Sequence, residues 1–144
     1  MTSAAPLSPT GETVLALLRE GAGRGEVRIR VQGSCMSPGI EPGDVVAVRR
    51  ARWLWPGDVV VFLAADGRLT VHRALGYRPG RKWHLLTQAD RAAGPDRAVP
   101  LERVVGRVVS PSHASFADRV RAAGLYAARV LAALRRRALD RSSR

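Results

Sequence analysis

The chain has one cysteine, one lysine and three histidines in 144 residues. A single thiol cannot build an internal disulfide framework, and no zinc-ligand spacing accompanies it, so neither oxidative stapling nor a structural metal is expected. No cofactor is called for, and a Cys–His–Asp metal site finds no support in the spacing of those residues. Long apolar stretches are missing too. The longest run, Val59 to Ala65, falls far short of the roughly 20 residues a membrane helix requires. Met1 to Pro6 has neither a basic region nor an apolar core, so no signal peptide is visible. Acidic residues are few, at 12 against 24 basic ones, for a net charge of +12. Almost all the basic residues are arginine, and together with the abundant alanine and glycine this is read partly as genome composition. An acidic partner or an anionic membrane surface still matches that charge.

What is present centres on Val31-Gln32-Gly33-Ser34-Cys35-Met36-Ser37-Pro38-Gly39-Ile40. Val27, Ile29 and Val31 alternate with charged residues as in a half-buried strand, which should end in a tight bend at Gly33-Ser34. Cys35 follows, then an apolar Met36, then Pro38 to stop regular structure. Glu41-Pro42-Gly43-Asp44 is a turn that launches a second strand, Val45 to Val48. A nucleophile on a rigid bend between strands is well placed to face a cleft.

Those residues resemble the nucleophile box of the signal peptidase I superfamily, which includes the self-cleaving SOS-repressor-type peptidases. That box runs Val-x-Gly-x-Ser-Met-x-Pro-x-Ile or Leu, followed by Gly-Asp and an apolar strand. Gly33, Met36, Pro38, Ile40, Gly43 and Asp44 fall in register, and Cys35 stands where the family has serine. The resemblance spans about residues 27 to 110. It implies an antiparallel β domain and an endopeptidase acting on an extended peptide, a leader or signal sequence or a specific precursor, cut after small residues.

The resemblance also nominates partners for Cys35. A thiol with an ordinary pKa of about 8.5 needs a base or cation to ionise at neutral pH. Many relatives use lysine, but Lys82 lies in a polar turn region. At the family's base position the sequence reads Thr70-Val71-His72-Arg73, similar to the His-Arg segment of the archaeal and endoplasmic-reticulum branch. Strand alternation lets His72 point into a cleft, where its imidazolium would lower the thiol pKa and protonate the leaving amine. Thr87 to Asp96 is similar to that branch's acidic segment, with Asp96 matching the carboxylate that orients the imidazole and Asp90 expected to brace the loop. Arg73 is counted as a supporting residue. The oxyanion donor is expected to be the Cys35 N–H. Some signal peptidases add a serine hydroxyl two residues before the nucleophile, where this sequence has Gly33, so Ser34 is the substitute donor. Gly33, Ser34 and Met36 are counted as oxyanion or substrate residues. His84 and His113 carry no such context and are read as ordinary polar groups.

Elsewhere the patterns organise the chain into residues 1–25, 26–110 and 111–144. After a tail through residue 7, a short helix should start near Ser8 or Thr10, with Pro9 in its first turn, and stop at Gly21, leaving a flexible link to Gly25. Alone, that helix is too small to read DNA. Pro-Gly-Asp before a valine run occurs twice, at residues 42–44 and 56–58, and reads as two turns of the same chemistry. Asp66-Gly67 marks a hairpin between Val59–Leu63 and Leu69–Arg73; Trp83–Thr87 and Arg103–Val109 complete a mostly antiparallel sheet. Trp53 and Trp55 are read as capping the core in preference to forming an apolar lip.

From Ser115 the pattern becomes a basic amphipathic helix, with Phe116, Val120, Leu125, Tyr126, Val130, Leu131 and Leu134 near one side and six or more arginines elsewhere. It either packs its apolar side on the sheet or lies on an anionic membrane. The fold class is therefore mainly β, with a short N-terminal helix and a basic C-terminal helix. A peptide or protein substrate in the bacterial cytoplasm, or at the periphery of a membrane, is the expected setting. Two other functions stay open. A domain that has lost activity would only bind peptides or a partner protein, and an Arg-rich helix could hold nucleic acid, although no recognised reading module accompanies it.

Overall fold

Valine runs bounded by Gly, Pro and Asp build the framework. The structure is a computed structural model that describes residues 6–111 and 115–142. Seven strands form one antiparallel sheet in the order β1-β2-β7-β3-β4-β5-β6. They are β1 Val27–Arg30, β2 Val45–Arg49, β3 Val59–Leu63, β4 Leu69–Arg78, β5 His84–Gln88, β6 Val99–Pro100 and β7 Val104–Ser110. Helix α1 (Pro9–Arg24) precedes the sheet and helix α2 (Phe116–Ser142) follows it.

β3 is unbroken by polar residues because both of its faces are covered, the condition under which a strand loses its alternation. Val59, Val61 and Leu63 face one core with Met36, Ile40, Val46, Val48 and Val71, which α1 closes with Leu15 and Ala22. Val60 and Phe62 face a second core with Leu54, Ala74, Leu85 and Val99. Each fully buried side chain of this size contributes about 1.5–3 kcal/mol.

The repeated Pro-Gly-Asp turns share their hydrogen bonds as well as their sequence. Gly43 has φ +95° and Gly57 φ +93°, left-handed values that favour glycine. Asp44 Oδ2 accepts from the Glu41 N–H at 2.8 Å, and Asp58 Oδ2 accepts from the Trp55 N–H at 2.9 Å.

Three local expectations are corrected. Helix α1 starts as expected, with Ser8 Oγ accepting from the Gly11 N–H and Pro9 in the first turn, but it runs through Gly21 to Arg24. Gly21 is there for contact: a Cβ on it would lie 2.9 Å from Val27 Cγ2, so glycine lets the helix approach β1. The bend after β1 falls on Cys35–Gly39, while Gln32 to Ser34 are exposed and outside any regular element. Trp53 and Trp55 do not cap the core; they are 64% and 62% exposed, and Leu54 between them is buried. The Leu54 N–H donates to Tyr77 Oη at 2.8 Å, which ties the loop to β4 at the buried residue.

Helix α2 is capped by a reciprocal pair. The Asp118 N–H donates to Ser115 Oγ at 3.1 Å, and the Ser115 N–H donates to Asp118 Oδ2 at 3.0 Å. Its first half sits on β4. Tyr126 lies over Gly76, donating its hydroxyl to Tyr77 O at 2.6 Å, and Arg119 meets the buried Asp58 carboxylate at 3.2 Å. Beyond Val130 its described side chains face solvent, so the apolar side does not cover the sheet as one of the two readings required. Among the described residues no helix is long and apolar enough to cross a membrane.

Candidate active site

The turn that carries Cys35 is fixed from both sides. Before it, the β1–β2 pairing continues through Val31, whose N–H donates to Asp44 O at 2.8 Å and whose carbonyl accepts from the Gly43 N–H at 2.7 Å. After it, Met36 and Ile40 are both buried in the first core, with the Ile40 N–H donating to Met36 O and the Ser37 N–H to Ser34 O. Met36 is therefore an anchor of the turn, and its side chain is not part of a cleft. Ser34 and Gly33 remain on the exposed approach to Cys35.

β4 supplies the neighbouring surface. It pairs with β3 along Leu69–Arg73 but meets β5 only from Arg73 onward, so its other edge is open at Leu69 to His72. Cys35 docks there. Its thiol donates to Val71 O at 3.8 Å, one residue from His72. Among the described residues the sulfur and the His72 ring share no hydrogen bond.

His72 projects to the opposite side from Val71, as alternation requires, with its ring edge-on to Phe62 at a centroid separation of 5.8 Å. Nδ1 lies 2.6 Å from Asp96 Oδ2. That same oxygen accepts from Thr87 Oγ1 at 2.7 Å, and the Asp96 N–H donates to Thr87 O at 2.9 Å. A carboxylate pinned by a hydroxyl and meeting Nδ1 favours the tautomer that leaves Nε2 free to take a proton.

Asp90 does something else. It receives Arg73 through Nε at 2.7 Å and Nη2 at 2.6 Å, a bidentate pair that raises the Arg73 pKa through the hydrogen bonds to Asp90. Arg73 Nη1 also donates to Gly57 O at 2.8 Å and lies 3.7 Å from Asp118 in the first turn of α2. The loop between Asp90 and Asp96 is in turn tied to the nucleophile turn, since the Arg91 N–H donates to Cys35 O at 3.1 Å.

The electrostatics of the thiol reverse the expectation of an acidic cysteine. Burial raises the Cys35 pKa above its ordinary value, and the Asp96 and Asp90 carboxylates push it further in the same direction. The backbone N–H groups of Cys35 and Met36 oppose this without overcoming it. Negative charge gathered around a thiol disfavours a second one, the thiolate.

The remaining expected residues lie apart from this arrangement. Lys82 pairs with Glu102 at 2.8 Å on an exposed surface. His84 Nδ1 meets Lys82 O at 2.9 Å, and His113 lies outside the described residues. Among the described residues no group of three or more His, Cys, Asp or Glu side chains is disposed to hold a metal ion. Sequence reasoning missed Thr87 and the carbonyl of Val71. The one trace of Thr87's part is a hydroxyl residue directly after the apolar pair Leu85-Leu86, in the segment that leads to Asp90 and Asp96.

The sequence finds no match among curated proteins. Residues 12–109, which take in most of α1, the turn at Cys35, β4 and the Asp90–Asp96 loop, match the family described as Peptidase S24-like, and the chain belongs to that family.

Proposed function

We propose that this member of the family is an endopeptidase with a Cys35 nucleophile, a His72 general base and an Asp96 carboxylate that orients the imidazole. The observation that carries the reading is the 2.6 Å approach of His72 Nδ1 to Asp96 Oδ2, one residue along β4 from the carbonyl that holds the Cys35 thiol. A peptide would bind extended beside Gln32–Ser34, adding a strand next to the nucleophile. The thiol would leave Val71 O by rotating about its Cα–Cβ bond and pass its proton to His72 Nε2. The sulfur would then form a bond to the scissile carbonyl carbon, with the backbone N–H of Cys35 holding the oxyanion. Collapse would break the C–N bond, with the imidazolium protonating the leaving amine. Water, deprotonated by His72, would hydrolyse the thioester and return the free thiol.

The test is cleavage of leader-type and precursor-type peptides by the full chain. Cys35→Ala and His72→Ala should each abolish cleavage. Retention of cleavage by either variant overturns the assignment.

A second reading, a non-catalytic peptide-binding member, is favoured by the bond from the thiol to Val71 O and by the raised thiol pKa. Under that reading peptides bind with equal affinity to wild type and Cys35→Ala, and neither releases a product.

A further inference from the structure

Helix α2 has two faces with different fates. Ala122 and Tyr126 are set against the sheet, Ala122 buried and Tyr126 over Gly76. Roughly 100° round the helix, Phe116, Val120, Ala123, Ala127, Val130 and Leu134 recur in steps of four and three and form a continuous apolar stripe open to solvent. Phe116 is 82% exposed and Leu134 55%. Apolar groups of this size on a soluble surface mark a surface that meets something.

The charge on the helix narrows what that is. Between Phe116 and Ser142 there are seven arginines and two aspartates. Arg119 is engaged with Asp58, whereas Arg135, Arg136, Arg137 and Arg141 lie on the exposed distal half, around the stripe. A second copy of α2 laid along the stripe would bring two strongly basic helices together. An anionic partner has the opposite charge. A nucleic acid would neutralise the arginines but leave the stripe in water, while a bilayer surface takes both, the stripe entering the acyl boundary and the guanidinium groups reaching the headgroups.

A second exposed apolar element adjoins the same helix. The loop bearing Trp53 and Trp55 packs on α2 at Gly57, where a Cβ would lie 2.9 Å from Arg119 Cα. Tryptophan suits the headgroup layer, having an apolar body and one polar N–H.

We infer that α2 is an interfacial helix that seats the protein on an anionic bilayer through the Phe116–Leu134 stripe and the arginines of its distal half, with the Trp53–Trp55 loop as a second contact. Through α2, docked on β4, the strand that carries His72 is held at that surface. The inference stands on α2 and is independent of the chemistry at Cys35.

The test is co-sedimentation of the full chain with vesicles of phosphatidylcholine alone and of phosphatidylcholine mixed equally with phosphatidylglycerol. Binding should require the anionic lipid and weaken with salt. Removing three basic side chains by Arg135→Gln, Arg136→Gln and Arg137→Gln should weaken it on the order of 100-fold. Val130→Glu with Leu134→Glu, at exposed positions that leave the fold intact by circular dichroism, should reduce it comparably. No sedimentation with the anionic vesicles overturns the inference. So does binding that the Glu pair leaves unchanged, the behaviour of purely electrostatic attachment or of a nucleic-acid binder. Concentration-dependent self-association that the Glu pair abolishes, without vesicle binding, assigns the stripe to a second copy instead. Cleavage of a soluble peptide by the Glu pair at the wild-type rate separates failure here from failure of the peptidase reading.

Discussion

Thr87 is fully buried, and its hydroxyl donates to the same Asp96 oxygen that faces His72 Nδ1. The imidazole is thus oriented by a carboxylate that is itself held in one rotamer. Thr87→Val keeps the shape and removes the donor. Losing a hydrogen bond to a charged group costs about 1.5–3 kcal/mol, which corresponds to about 10- to 100-fold in rate if it is expressed in the transition state. We expect kcat of peptide cleavage to fall by that factor with KM little changed, and Thr87→Ser to restore most of it. A Thr87→Val variant as fast as wild type would show that Asp96 needs no support.

The raised Cys35 pKa gives a prediction of opposite sign to a pre-ionised thiol. Burial and the two carboxylates favour the neutral form in the folded protein. Alkylation by iodoacetamide should therefore accelerate only above the range of an ordinary thiol, and Asp96→Asn should move that rise to lower pH. The linkage has the same direction. The thiol's contribution to stability is fully present below its unfolded pKa and is lost as pH climbs through the folded value. Rapid alkylation of the wild type near neutral pH would contradict the electrostatics described here.

The Arg73–Asp90 pair is mostly buried and holds together β4, the turn at Gly57 and the first turn of α2. Asp90→Asn removes the charge and one of the two oxygens that receive Arg73, leaving the guanidinium its contacts to Gly57 O and Asp118 and at most one bond to the amide oxygen. Breaking a buried pair at one end destabilises by about 3–5 kcal/mol when no partner remains. With these two contacts retained, we expect a loss toward the lower end, read as a reduced midpoint in urea. A midpoint equal to wild type would mean that the pair does not hold these elements together.

The twin turns provide an internal control. Gly43→Ala and Gly57→Ala both place a Cβ at a positive φ, which costs about 1–2 kcal/mol. Only at Gly57 does the new Cβ meet the α2 backbone; nothing lies within 4 Å of the one at Gly43. Gly57→Ala should therefore be the more destabilising and should increase proteolysis within α2, whereas Gly43→Ala should leave α2 protected. Equal effects of the two substitutions would show that the Trp53–Asp58 turn does not hold the helix.

The strand segments themselves, the hairpin at Asp66-Gly67 and the two Pro-Gly-Asp turns were legible because each depends on residues within a few positions of one another, whereas the insertion of β7 between β2 and β3 was not. The approach of Tyr126 to Gly76 was not, since nothing near either residue announces the other. Gly21 misled for the same reason. A glycine at a helix end and a glycine at a packing contact are the same letter, and only Val27 on another element distinguishes them. Trp53 and Trp55 misled through composition, because aromatic residues usually enter a core and here Leu54 between them takes the buried place in the second core.

Sequence by itself determined which side chains are available for chemistry: a lone thiol on a Gly-Ser-Cys-Met-x-Pro turn, a histidine on a strand and two aspartates in one loop. Tertiary structure alone decided how they are divided. Asp96 meets His72 while Asp90 is taken up by Arg73, and the thiol is turned to the Val71 carbonyl in a setting that raises its pKa. The reason is that residue type fixes the reactivity a group has in water, whereas the burial and the charges that shift it come from strands and loops distant in sequence.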